Sequence, residues 1–374
     1  MKRVFIAATR QNDGKTTVSL GLFKALFSRD NSIQYMKPVG QQYRLIDNKK
    51  IDKDAVLFQK TFQLNKNDLT HMSPIASPKG FTENYTQNPT PSELENKILS
   101  ADNFLCANAT SILYEGTGHA GVGSVFDLSN AKVAQLLNTP VIIVSTGGIG
   151  KAIDEIMLNA SVFKELNVPV LGVIINKVLP EKYEKIKKIT TQGLARLGHN
   201  VLGVLPLNQD LTYPTITAII DELKPNILSI TDSGYHNIIE KFLIGDMMPH
   251  NALGHMTTNT LMIVPGNREG LVLTALCENL VSKGPRLVSG IVFTNGIRPH
   301  QKILDLLYTS DIPLFMVEED AFSIATKINH MIVKIRSEDT NKIKIAGNLI
   351  EEYVDINQIY NRMSKKNDPI NATQ

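Results

Sequence analysis

The sequence predicts an α/β protein: a doubly wound parallel sheet of the phosphate-loop (P-loop) kind, followed by a second, smaller α/β domain. Three observations carry that prediction. Short Val- and Ile-rich runs alternate with segments of helical period from residue 2 to about 207. The stretch ATRQNDGKTT at residues 8–17 joins the first run to the first helical segment. A second, shorter alternation opens after DELKPN (221–226). A chain of 374 residues exceeds what one core usually serves, so two domains are expected.

Strands are read from RVFIA (3–7), IQYMKPV (33–39), TSILYEG (110–116), PVIIVST (140–146), PVLGVIINKV (169–178) and NVLGVLP (200–206). Each is apolar at successive positions, the pattern of parallel strands covered on both faces. Between them, TTVSLGLFKALFSRD and IDEIMLNASVFKELN space apolar residues three and four apart and keep charges opposite. Such alternation implies helix-linked parallel strands, whose ligands sit beyond the carboxyl ends. Residues 65–91 carry four prolines and little periodicity, so a binding loop or a disordered one is expected there. In the second series TLMIVPG (260–266), LVSGIVFTNG (287–296) and IPLFMVEED (312–320) read as strands, with KIKIAG (342–347) a candidate fourth. The expected domains are 1–222 and 223–360, with a polar, disordered tail at 361–374.

Composition excludes several classes. The 39 basic and 36 acidic side chains are scattered and leave a formal charge of +3, without the basic stripe that nucleic acid requires. No apolar run approaches the roughly 20 residues of a membrane span. The apolar run after MKR is about six residues, shorter than an export signal needs, and leads straight into the loop; a cytoplasmic protein is expected. Cys106 and Cys277 lie far apart in apolar contexts, which predicts buried thiols in a reducing compartment.

The loop ends in GKTT, as G-x-x-x-x-G-K-[ST] does, but Thr9 stands where that pattern has its first glycine. A strand before and an amphipathic helix after it supply the required context. Backbone N–H groups and the helix N-terminus then face an anion. Lys15 would reach the β/γ-phosphate oxygens of ATP, and the Thr16 hydroxyl would complete a Mg²⁺ sphere. Gly14 is expected where a Cβ would crowd the phosphates. Thr9, Asn12 and Thr17 complete the cradle.

Here the chain resembles dethiobiotin synthetase, whose phosphate loop also begins with threonine. MKPVGQ (36–41) is similar to that family's Lys-Pro-Val segment, DKDAVLF (52–58) to its Asp-Ala helix start, and LYEGTGHAG (113–121) to its Val-Glu-Gly-Ala-Gly-Gly run. Over its full length the chain resembles the N-terminal, non-catalytic portion of long bacterial phosphate acetyltransferases, in which that module precedes a DRTGG domain. The cues are IGDMMPHNAL (244–253), VPGNREGLVLTAL (264–276) and FTNGIRP (293–299). Asn267 and Asn295 depart from the motif. The resemblance ends before the acetyltransferase domain, so acetyl transfer by these residues alone is not expected.

Glu115 closes an apolar strand at the sheet edge beside the loop, where a hard carboxylate oxygen suits Mg²⁺. Asp54 is the second candidate metal ligand, selected by the resemblance. Asp52 reads as a helix N-cap with Asp54 in the favourable first turn. Lys37 ends the second strand, where a free lysine has little structural reason to be. In the synthetase it would help hold a carboxylated amine and the transferred phosphate, so Lys15 and Lys37 are the catalytic candidates. Arg10 replaces the synthetases' aspartate and would contact a phosphate or water; Asp13 would have to point outward. By resemblance Asn176 in INKV would hydrogen-bond adenine, with Pro206 in LPLN flanking the base. The glycine-rich run 116–126 is a weak candidate for wrapping substrate, and His119 within it reads as a surface residue. In the second domain Arg268, Glu269 and His300 form no nucleophile–base pair or metal triad.

These readings imply a Mg-ATP-binding protein that senses or hydrolyses nucleotide and couples it to a small metabolite or a separate acyltransferase-type partner. The alternative is a ligase closing a ureido ring. A homodimer is expected from the resemblance.

Overall fold

The computed structural model describes residues 1–107, 109–281 and 286–365. Residues 1–208 and 335–365 form one compact unit, and residues 209–334 a second.

The first unit opens with β1 (Lys2–Ala8), α1 (Lys15–Phe27), β2 (Gln34–Met36), β3 (Val39–Gly40), β4 (Tyr43–Ile46), β5 (Lys49–Asp52) and α2 (Lys53–Thr61). It continues through α3 (Leu69–Met72), β6 (Ile75–Ala76), α4 (Phe81–Gln87), α5 (Pro91–Cys106) and β7 (Ser111–Glu115). Then come α6 (Asn130–Leu136), β8 (Val141–Thr146), α7 (Gly150–Glu165), β9 (Val170–Val178), α8 (Tyr183–Arg196) and β10 (Val201–Pro206). The main sheet runs β10-β9-β8-β1-β7-β2, and these six strands are parallel. Val4 to Ala8 of the central β1 are fully buried, as helices on both faces require.

The second expected strand is broken in two. Pro38 has no N–H for a ladder, and the Lys37 N–H turns to the carbonyl of Met72 (2.7 Å). β2 therefore stops at Met36, and β3 pairs with β6 instead. Residues 65–91 also differ from the expected loop. They fold into α3, β6 and α4, elements too short to show a period. Tyr85 of α4 donates its hydroxyl to Asp127 (2.8 Å), and Phe81 packs edge-on against Phe126.

The second unit holds α9 (Ile216–Leu223), β11 (Asn226–Ser229), β12 (Lys241–Ile244), α10 (Pro249–Ala252), β13 (Thr260–Pro265) and α11 (Glu269–Val281). After these come β14 (Val288–Thr294), α12 (Gln301–Leu307), β15 (Leu314–Met316) and α13 (Ala321–His330). Its sheet runs β11-β15-β14-β13-β12, with only β11 antiparallel. α11 and α12 cover one face. On the other, Ile216, Ile219 and Leu223 of α9 pack with α13 against Leu261, Ile263, Val292 and Phe315. This packing moves the boundary from 222 back to 208.

The chain then returns through α14 (Thr340–Tyr353), α15 (Ile356–Arg362) and β16 (Ser364–Lys365). KIKIAG is thus helix, not strand. The buried positions Lys342, Ala346, Leu349 and Ile350 recur at three and four, and the apparent alternation of the shorter stretch misleads. α14 lies along α1, where the missing Cβ of Gly21 leaves room for the Ala346 carbonyl and Ile350. Residues 335–360 therefore belong to the first unit rather than the second. The expected tail is partly ordered as well, because β16 pairs antiparallel with Lys2 and Arg3. Residues 366–374 of that tail lie outside the described residues.

Neither cysteine is buried as expected. Cys277 is exposed, and Cys106 is half-buried, 3.2 Å from an Asp102 carboxylate oxygen. Among the described residues no helix is long and apolar enough to cross a membrane.

Candidate functional site

The loop between β1 and α1 is built around Gly14, which adopts φ 92° and caps the helix. That left-handed conformation favours glycine. The space a Cβ would occupy is filled by the Asn176 amide, so a neighbour inside the protein, and not only a phosphate, excludes a side chain here. Asn176 donates Nδ2–H to the Asp13 carbonyl (3.0 Å) and accepts from the Lys177 N–H through Oδ1 (2.9 Å). Expected against a base, its amide also braces backbone of the loop and of its own strand. Lys177 adds a second clasp, Nζ to the Asn12 carbonyl at 2.6 Å.

Asp13 does not point outward. It is buried, and its Oδ2 accepts from the Thr9 hydroxyl (2.6 Å) and the Arg10 N–H (2.8 Å). Donors within the loop satisfy its charge, making it a brace. Arg10 leans away onto α7, with Nε 3.0 Å from Glu155 and Nη2 donating to Thr146. Asn159 of α7 joins the loop to the glycine-rich run 116–126, donating to the Thr9 carbonyl and accepting from the Ala120 N–H.

Sheet register places the charged cluster. Ile6 of β1 lies opposite Glu115 of β7, so a carboxylate emerges beside the loop. Glu115 is fully buried. Its Oε1 accepts from the Thr16 hydroxyl (3.0 Å) and Lys37 Nζ (3.0 Å), and its Oε2 from the Tyr35 hydroxyl (3.2 Å). Lys37 Nζ also donates to Asp54 Oδ2 at 2.7 Å. Asp52 caps α2 through the Asp54 N–H (2.9 Å), which fixes Asp54 in the first helical turn.

Burial works against the Lys37 ammonium, but Asp54 and then Glu115 outweigh it and raise its pKa. Lys15 goes the other way. Burial first, then repulsion from Lys37, lowers it to about 8, against weaker support from Glu115, Asp13 and Asp54. Burial and the facing Glu115 hold Tyr35 well above its ordinary value, keeping it a donor.

The structure thus gathers Thr9, Gly14, Lys15, Thr16, Lys37, Asp54 and Glu115 around the start of α1. Thr17 is half-buried in its first turn and Asn12 is exposed on the loop. Pro206 closes β10 in register with Val178, which draws its segment alongside INKV. His119 is at the surface. Asn130, Asn159, Tyr35 and Lys177 were not anticipated. Only Asn159 had a signal: an amide on the apolar stripe of Ile156, Ala160 and Phe163. The donor set fits a magnesium ion. A hydroxyl and two carboxylates share one locus. Phosphate and water oxygens would supply the remaining ligands.

Fold and loop define a P-loop NTPase-type α/β protein with an appended second domain. The AAA domain (AAA_26) profile matches residues 2–215 and the DRTGG domain profile residues 218–331. The chain belongs to the AAA_26 family, the dethiobiotin synthetase-like P-loop type, and carries a DRTGG domain. It is 24% identical over 369 residues to phosphate acetyltransferase of Nitratidesulfovibrio vulgaris, covering 96% of this chain and 51% of that protein. It is 29% identical over 232 residues to cobyrinate a,c-diamide synthase of Limosilactobacillus reuteri, covering 61% and 44%. The chain spans about half the length of the phosphate acetyltransferases it matches. Similar solved structures include the MinC:MinD complex of Aquifex aeolicus (TM-score 0.36, 12% identity, 56% of this chain and 84% of that one). Another is the CBS and DRTGG region of Clostridium perfringens pyrophosphatase with diadenosine tetraphosphate (TM-score 0.27, 14% identity, 39% and 64%).

Proposed function

We propose that the first unit binds Mg-ATP and that the nucleotide state is coupled to a ligand or partner of the DRTGG domain. The observation that carries this reading is the convergence of Lys15, Thr16, Lys37, Asp54 and Glu115 at the N-terminus of α1. Lys15 would meet the β/γ-phosphates, and the first-turn N–H groups would face their oxygens. Thr16, Asp54 and Glu115 would hold Mg²⁺, which supplies charge neutralisation at the phosphates when bound. Lys37 would present a second cation to the terminal phosphate. Asn176 and Lys177 hold the loop carbonyls so that its amides stay directed at the anion. Asn176 and Pro206 would border the base.

The likeness to phosphate acetyltransferases supports a role in tuning an acyl-transfer activity, with the transferase as partner. Homodimer formation and residence in the cytoplasm belong to the same reading. Hydrogen exchange across residues 209–334, with and without Mg-ATP, tests coupling. Changed protection there is expected; identical protection would confine the nucleotide to a role in the first unit.

A second reading, ATP-dependent ring closure on a carbamylated diamine, is favoured by Lys37 standing between both candidate metal carboxylates. Growth of a biotin-requiring strain decides it. Failure to grow with well-expressed protein removes it.

A further inference from the structure

We propose that the Lys37 ammonium occupies the seat of the divalent cation, so that metal loading and release of Lys37 toward the bound anion are one exchange. The inference rests on the Mg-ATP reading, but its measurement is made without nucleotide. Geometry carries it. Nζ lies 2.7 Å from Asp54 and 3.0 Å from Glu115, the two carboxylates that would ligate the metal. The same Glu115 Oε1 accepts the hydroxyl of Thr16, the third candidate ligand.

All three charged side chains are buried. Two carboxylates this close and this desolvated need a cation between them. A divalent ion and an ammonium sharing two oxygens would repel each other at a few ångströms with little solvent to screen them. One must leave, and only the ammonium is on a flexible stem. Its backbone stays, because the Lys37 N–H is held by the Met72 carbonyl, and Glu115 stays, because Tyr35 anchors Oε2. The displaced Nζ therefore moves by side-chain rotation alone, and the terminal phosphate, once bound, would be the anion it turns to. Lys37 thus offsets part of the negative charge at the empty seat and becomes a phosphate clamp only when metal arrives.

The test is Mn²⁺ binding to nucleotide-free protein, read by electron paramagnetic resonance, for wild type, Lys37→Met and Lys37→Gln. Removing the competing ammonium should tighten Mn²⁺ by about tenfold or more, and adding Asp54→Asn should abolish the gain. Unchanged or weaker binding in folded variants overturns the proposal. Should circular dichroism show that neither variant folds, wild type supplies the readout. Rising Mg²⁺ should then increase acetylation of Lys37 by an amine-reactive reagent several-fold, measured by peptide mass spectrometry. Reactivity independent of Mg²⁺ overturns it. Loss of Mg-dependent ATP binding by wild type would instead sink the nucleotide reading and leave the metal comparison interpretable.

Discussion

The amide of Asn176, at the end of β9, fills the space that Gly14 leaves by lacking a Cβ. From two strands away in the sheet, a single side chain thereby sets how the phosphate loop curls. Gly14→Ala must both leave φ 92° and displace Asn176, at a cost of about 1–3 kcal/mol. Urea denaturation should show that loss, together with abolished ATP binding. A variant of wild-type stability would mean that Asn176 moves aside freely.

If Lys15 meets the phosphates as proposed, nucleotide affinity should depend on pH. Its pKa in the folded chain is lowered to about 8 from the ordinary 10.5. Below pH 8 it is charged in folded and unfolded chains alike; between 8 and 10.5 only the unfolded chain holds the proton. Stability from this group therefore rises with pH through that window. ATP binding needs the charged form, so affinity should fall as pH rises through about 8, with proton uptake at the upper end. Calorimetry at about pH 8.5 in buffers of different ionisation enthalpy checks this. Heats independent of buffer would contradict it.

Arg3 and Asp102 form a buried pair at 2.8 Å beneath the sheet. Arg3 also donates to the Leu137 carbonyl, and the Tyr114 hydroxyl donates to Asp102. Arg3→Met leaves a buried carboxylate without its cation, for an expected loss of about 3–5 kcal/mol. Chemical denaturation measures it; a loss under about 1 kcal/mol would place the pair among those worth little.

The return of residues 335–365 to the first unit has a direct consequence for fragments. α14 buries Ala346, Leu349 and Ile350, and full burial of one such large side chain contributes about 1.5–3 kcal/mol. A 1–208 fragment should therefore melt well below the full chain or aggregate. A cooperative melt matching the full chain would contradict the packing of α14 on α1.

Much of this architecture was legible because buried parallel strands must be apolar at every position. RVFIA, PVIIVST and PVLGVIINKV coincide with β1, β8 and β9 within a residue or two. The β4–β5 hairpin, by contrast, is YRLI paired with KKID, half exposed and too polar to announce itself. In the site, the motif residues could be found because phosphate and metal chemistry restricts residue type and spacing. Asn130 could not, since bracing a loop needs only an amide that the tertiary fold happens to bring near, and Asn159 offered only an amide on an apolar helix stripe. Asp13 was misjudged for the same reason. Its charge is adverse beside an anion by sequence alone, and the Thr9 hydroxyl and Arg10 N–H that absorb it come from the folded loop.

The most direct measurement is ATP binding by the intact chain, followed by calorimetry with and without Mg²⁺ and repeated for Lys15→Ala. Saturable binding that needs the metal, and that the Lys15 substitution reduces at least about a hundredfold, is the predicted result. ATP affinity indifferent to both magnesium and Lys15, or no binding by a folded wild-type chain, would contradict the account.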